Sequence, residues 1–283
     1  MANYLSPDQI KEYTVEAGIA KAGSSFSRSF LLSFMGGMFI ALAAIGSMIA
    51  TYTIDNAGIS SLIAGCVFST GLMMVVIAGG DLFTGNVLIT VSVLEKRTTV
   101  GAMLSNLSVT FAGNLCGALF IVVLVQYSGL LSAADGMLLN RLMLKAAHKI
   151  EYSFHQAFIL GILCNLLVCI AVWMMYSAKD TGGKVLACFF PIALFILSGY
   201  EHIVANMYYI PAGILAAADG RYVALAGISA PALSQLTPAG AIGNFIPVTL
   251  GNLVGGLIVG TIYYSIYKGR NVPKSLSRFK ISA

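Results

Sequence analysis

Two short stretches decide how this chain folds: Gly80-Asp81-Leu82-Phe83-Thr84-Gly85-Asn86 and Gly199-Tyr200-Glu201-His202-Ile203-Val204-Ala205-Asn206. Each sets polar and ionisable residues in the middle of an apolar run. In both, an acidic residue follows a Gly and an Asn comes five positions after the acid. Further on, Gly113-Asn114-Leu115-Cys116-Gly117-Ala118-Leu119 is matched by Gly251-Asn252-Leu253-Val254-Gly255-Gly256-Leu257. The same two signatures recur in the same order, which predicts an internal repeat with halves at about 28–135 and 150–268. Polar, Gly-flanked interruptions of apolar runs are how discontinuous membrane helices look in sequence. Backbone freed from helical bonding is tolerated only inside protein or along a wet cavity.

The composition around these stretches calls for lipid. Of 283 residues, 58% are hydrophobic and 10% charged, with mean hydropathy +0.87; a soluble domain carries about 25% charged residues. The charge-free intervals Arg28–Asp55, Asp55–Asp81, Arg97–Asp135, Glu151–Lys179, Lys184–Asp219 (interrupted by Glu201 and His202) and Arg221–Lys268 give six spans. Three spans per half is an odd number, so the second copy enters the membrane from the opposite side. The expectation is an all-α membrane protein with six transmembrane helices, an inverted 3+3 repeat and broken helices two and five.

Charge sets the sidedness. Twelve basic residues fall in the N-terminal segment, the loops after spans two and four and the tail, against four (Arg141, Lys145, Lys149, Arg221) on the other face. The positive-inside rule puts both termini in the cytoplasm. The chain divides into residues 1–27, an amphipathic cytoplasmic helix near the membrane surface; 28–268, the membrane domain; and 269–283, a basic cytoplasmic tail. Ser6-Pro7-Asp8 reads as an N-cap with Pro at the first helical position, giving a helix over 6–22. No signal peptide is apparent, since Asp8, Lys11, Glu12, Glu16 and Lys21 are spread through the first 27 residues. The net charge of +5 does not indicate a nucleic-acid face, because 5 of the 16 Lys and Arg lie in the last 16 residues, where they serve as a membrane anchor. Cys66, Cys116, Cys164, Cys169 and Cys188 all sit in apolar runs and read as small buried hydrophobes; no cofactor or metal site is expected.

Asp81, Glu201 and His202 are the ionisable residues deep in the spans, and each costs at least ~2.5 kcal/mol at bilayer depth, so each should face an interior or a pathway. His202 either bonds a carbonyl across helices or sits in a permeation path. Asp81 and Glu201 either accept backbone N–H bonds from the half-helix that follows or relay protons. Thr84 either bonds the carbonyl one turn back or lines the break. Lys149 either snorkels to the interface or points inward and favours anions. Asn165, in mid-span, is expected to glue helices together.

These motifs resemble the formate/nitrite transporter family. The residues that carry the resemblance are 80–85, Ser198–Met207, Asn165–Trp173 and Ile246–Asn252, and it extends over about residues 10–268. It implies an aquaporin-like fold, assembled as a homopentamer with one pore per protomer, in the bacterial cytoplasmic (inner) membrane. It further implies that Thr84 and His202 face each other at the pore centre, that Lys149 lies at the outer approach, and that Asn165 is the family's membrane Asn. By the same resemblance Leu72 and Phe195 form the cytoplasmic constriction, Phe68 and Val168 the periplasmic one, and Leu82 lines the pore. Asn86, Asn206, Asn114 and Asn252 mark the repeat. The Asn-Pro-Ala pair of aquaporins is absent, which argues against a water channel. The implied function is passage of a small monovalent anion, formate first, with nitrite and hydrosulfide as alternatives and protons as possible co-substrate. A membrane enzyme built on His202 and Glu201 lacks a metal set, a nucleophile constellation and a phosphate loop; a scaffold subunit of a redox complex would not need polar breaks in both halves.

Overall fold

A computed structural model describes residues 4–132 and 134–269. The basic tail expected at 269–283 lies outside the described residues except for Gly269. All elements are helical: α1 (Pro7–Ala22), α2 (Phe26–Ile49), α3 (Ala57–Met74), α4 (Phe83–Asn86), α5 (Ile89–Leu94), α6 (Val100–Tyr127), α7 (Met137–Glu151), α8 (Phe154–Ser177), α9 (Thr181–Leu197), α10 (Ile203–Ala217), α11 (Gly220–Ala226), α12 (Ala230–Gln235) and α13 (Pro238–Tyr267). Apart from short π and 3-10 turns, the only extended pairing among the described residues is an isolated bridge between Tyr4 and Ala178.

Among the described residues five helices are long and apolar enough to cross a membrane: α2, α3 with its π extension Val75–Gly79, α6, α8 and α13. The interval expected to hold an interrupted fifth span contains two shorter apolar helices, α9 and α10, separated by residues 198–202. The α3 run likewise stops in a π turn, after which residues 80–82 are non-helical and α4 begins. A glycine with positive φ stands at each interruption, Gly79 (φ 95°) and Gly199 (φ 71°), conformations that a side chain would strain. The expected sixth span also starts later than the charge pattern suggested, at Pro238, because 220–235 fold into the short α11 and α12.

α2 packs along α6 and α8 along α13, while α3 crosses α9. Outside these lie two helices of different character. α1, capped at Ser6 with the Ser6 amide donating to Gln9 Oε1 (2.9 Å), packs on α5, and α7 packs on α10. The buried face of α1 mixes Ile10, Val15 and Ala17 with Lys11, Thr14 and Gly18, so it seats on protein and not only on a membrane surface. Lys11 is paired with Glu95, and Arg97 with Glu16 (2.9 Å). Cys116 departs from the expectation of burial: α6 turns it outward, among exposed Leu119 and Phe120.

Candidate pore site

The interruptions meet. Thr84 Oγ1, at the start of α4, lies 3.0 Å from His202 Nε2, the N-cap of α10, and both side chains are buried. His202 Nδ1 accepts the Ala205 amide (3.2 Å). A ring nitrogen that accepts carries no proton, so the neutral ring bears its hydrogen on Nε2 and donates it to Thr84. The Thr84 hydroxyl therefore faces across the break and does not turn back on its own helix.

Each acidic residue is held by a lysine from one of the two outer helices. Lys21 Nζ, near the end of α1, donates to Asp81 Oδ1 (2.6 Å) and to Asn86 Oδ1 (2.6 Å). Lys149 Nζ, near the end of α7, donates to Glu201 Oε1 (2.7 Å), whose other oxygen accepts from Asn206 Nδ2 (2.7 Å). Asn86 Nδ2 donates to Asn106 Oδ1 (2.9 Å) as Asn206 Nδ2 does to Asn244 Oδ1 (2.8 Å). Asn106 and Asn244 return to the backbone carbonyls of Lys21 (3.0 Å) and Lys149 (2.7 Å). A charge taken out of water is tolerable only when paired and hydrogen-bonded, and both acids meet that requirement.

The half-helix ends are capped differently from expectation. The carboxylates do not take the freed backbone amides. Asn114 Oδ1 accepts the Phe83 amide (2.9 Å) while its Nδ2 donates to the Asp81 and Ser33 carbonyls (2.8 and 2.7 Å). Asn252 does the same for the Ile203 amide (2.9 Å) and the Glu201 and Gly161 carbonyls (2.9 and 2.8 Å). A neutral amide, donor and acceptor at once, satisfies both sides of a backbone gap, leaving the acid to match a cation. Asn165 Nδ2 binds the Thr84 carbonyl (3.2 Å) and the Asn252 carbonyl (2.5 Å), joining α8 to α4 and α13.

A cavity approaches from each side. The larger, about 760 Å³, is lined by Tyr13, Lys21, Arg28, Asp81, Leu82 and Lys184, with Leu72 and Val168 also in its wall. The smaller, about 160 Å³, is lined by Lys145, Lys149, Tyr209, Glu201, His202 and Phe195. This regroups the expected constrictions. Leu72 and Phe195 do not share one: Leu72, Val168 and Leu82 face the Lys21 cavity, whereas Phe195 faces the Lys149 cavity and packs edge-on against Phe68 (5.7 Å between centroids). Phe68 and Leu72 are one helical turn apart on α3, roughly 6 Å along the axis, so they belong to different levels. The His202 ring sits 5.7 Å from Phe195.

Lys21, Asn106, Asn244 and Lys145 join the site without a local sequence motif that marks them. Burial works against the Lys21 charge, but Asp81, together with Tyr176 and Tyr13, offsets it and holds the ammonium above the usual lysine value. Burial lowers the Lys145 ammonium below that value, with Glu201 acting in the opposite sense. Among the described residues no group of three His, Cys, Asp or Glu is arranged to hold a metal.

The sequence pattern of the family described as Formate/nitrite transporter matches residues 8–266. This chain belongs to that family. It is 38% identical over 273 residues to the formate channel FocA of Escherichia coli K12, covering 94% of this chain and 96% of that one. It is 34% identical to a probable formate transporter of Methanothermobacter thermautotrophicus, over 94% and 98% of the two chains. A solved structure described as a pentameric formate channel with formate bound aligns at TM-score 0.77 and 36% identity, over 86% of this chain and 97% of that one. The family is one of channels and transporters, not of enzymes.

Proposed function

We propose that this chain is a passive channel for the anions of small weak acids, with formate first and nitrite or hydrosulfide as alternatives. The observation that carries the reading is the Thr84–His202 contact, buried between two cavities that each hold a lysine. An apolar slit rejects a bare anion, because losing hydration without a partner costs several kcal/mol. The basic residues in each cavity wall, Lys145 beside Lys149 on one side and Arg28 and Lys184 beside Lys21 on the other, raise the local anion concentration at either mouth. Phe68 with Phe195, and Leu72 with Leu82 and Val168, exclude water. At the centre the Nε2–H of His202 and the Thr84 hydroxyl replace lost water hydrogen bonds.

The tautomer favours hydrogen-bonded passage over proton transfer. Handing a proton to formate requires the doubly protonated ring, whose Nδ1–H would point at the Ala205 amide. Proton-coupled passage is the second reading, favoured by the imidazole lying at the midpoint of the path.

The matched networks of Lys21, Asp81, Asn86, Asn106, Asn114 and of Lys149, Glu201, Asn206, Asn244, Asn252 support the inverted 3+3 repeat and six-span aquaporin-like architecture. In this reading α1 is the cytoplasmic helix, both termini are cytoplasmic, and the Lys149 cavity opens outward. The pentameric relative supports a homopentamer with a pore in each protomer, in the bacterial cytoplasmic membrane. The experiment is flux through proteoliposomes of formate, nitrite, hydrosulfide and chloride at two pH values, with His202→Ala as control. Formate flux that collapses in the variant upholds the reading; preference for another anion reassigns the substrate; no flux of any of the four anions overturns it. If His202→Asn conducts formate with unchanged pH dependence, proton coupling through His202 is eliminated.

A further inference from the structure

The Lys149 cavity contains a cation that the pore network does not use. Lys145 lies one turn before Lys149 on α7, is partly buried, and lines the same cavity as Glu201 and His202. Its Nζ stands 4.4 Å from the centroid of the Tyr209 ring, and that of Lys149 stands 5.6 Å from the same ring. Among the described residues no carboxylate is within salt-bridge reach of Lys145. Glu201, the one acid in the cavity wall, has both oxygens engaged, by Lys149 and by Asn206. Glu201 thus cancels Lys149 and leaves Lys145 as the ammonium without a carboxylate in this vestibule, with the His148 imidazole as the other basic group in its wall. An ammonium over a ring face keeps N–H donors pointing away from the ring, and here burial has already removed part of the water that would occupy them.

We propose that Lys145 forms a capture site for small monocarboxylate-type anions, separate from the Thr84–His202 centre and reached before it from the Lys149 side. The ammonium donates to the anion, the Tyr209 ring fixes the ammonium, and the anion is released past Phe195 toward His202. A site of this kind sets how dilute an anion the channel can collect, more than how fast it conducts when saturated. The inference rests on the channel reading above, and the experiment separates the two.

Lys145→Met keeps the apolar stem and removes the charge; Lys145→Arg keeps both the charge and the ring contact. Formate flux entering from the Lys149 side is measured against formate concentration at two ionic strengths. For Lys145→Met the half-saturating concentration rises about 3- to 10-fold, the order of one charge removed from a steering field, its salt dependence flattens, and Lys145→Arg restores both. An unchanged concentration dependence in Lys145→Met, or equal impairment in both variants, overturns the site. A structural role alone would lower the unfolding temperature without flattening the salt dependence. Independently of transport, broadening of the ¹³C-formate resonance by the solubilised full-length protein is compared across the same variants. If the wild type conducts no formate, broadening that disappears in Lys145→Met and returns in Lys145→Arg still upholds the site; broadening indifferent to residue 145 overturns it.

Discussion

The network around Asp81 and the network around Glu201 do the same work with unequal means. In both, a buried acid at a helix interruption is met by a lysine from a helix outside the long apolar spans, and an Asn from a later helix bridges the backbone gap. The shorter Asp81 makes no bond to its downstream Asn, so Lys21 divides its donors between Asp81 and Asn86. Glu201, one methylene longer, reaches Asn206 itself, and Lys149 is left to Glu201 alone. The Lys149 side chain is 10% exposed and that of Lys21 29%, and the cavities differ in the same direction, about 160 against 760 Å³. One side is tight, with Lys145 as the cation beyond its ion pair; the other is open and carries the further cations Arg28 and Lys184.

The largest effect should come from breaking the tighter pair. Lys149→Met leaves Glu201 charged and unpaired in a dry wall, a loss of about 3–5 kcal/mol. The double variant Lys149→Met/Glu201→Gln should recover most of it in thermal unfolding of the solubilised protein. If the single and double variants are equally unstable, the pair is not the source of the loss. Lys21→Met should cost less, about 2 kcal/mol, because water reaches its more exposed side chain. A larger loss at Lys21 than at Lys149 would invert the comparison.

Next come the bridging amides. Asn114→Leu and Asn252→Leu each strand the backbone amide at the interruption, that of Phe83 or Ile203, while the Ser33 and Gly161 carbonyls keep their helical partners, a loss of about 1–3 kcal/mol. Similar losses in the two variants would confirm that the bridges are equivalent although the acids are not; a one-sided loss would break that equivalence. The smallest effect concerns pH. A lysine held above its ordinary 10.5 contributes stability that is complete below 10.5 and is lost only as pH rises through the higher folded value. Hydrogen exchange of α1 should therefore show no change attributable to Lys21 between about pH 7 and 9. Deprotection of Pro7–Ala22 within that window would place the Lys21 transition elsewhere.

Much of this architecture was legible in the chain because lipid punishes ambiguity. A polar residue inside an apolar run has few places to go, so Gly80–Asn86 and Gly199–Asn206 announced both interruptions, whereas the facing of Thr84 and His202 was implied only by the family resemblance. What was not legible was pairing at a distance. Lys21 looks like one of several N-terminal charges, and nothing local to it names Asp81, 60 residues away. Asn106 and Asn244 look like single polar residues in helices. A signal for them was present: each precedes its bridging Asn by eight residues, at 106/114 and 244/252, as Lys21 and Lys149 each precede the N-cap serines Ser25 and Ser153 by four. The grouping of Phe68 with Phe195 depends on helix heights that apolar sequence does not encode.

The reach of Asn252 has a consequence for how the protein is made. Asn114 closes around Asp81 after 33 further residues of chain, whereas Asn252 closes around Glu201 only after 51. At ribosomal speeds of about 5–20 residues per second, the second interruption waits roughly 3–10 s for the last helix. Until α13 arrives, the Ile203 amide at the start of α10 and the Glu201 carbonyl must wait unmet by Asn252, in the insertion machinery or beside a partner that can shield them. The last of the described helices is thus the one that closes the second half, and the order of translation becomes part of how the pore is assembled.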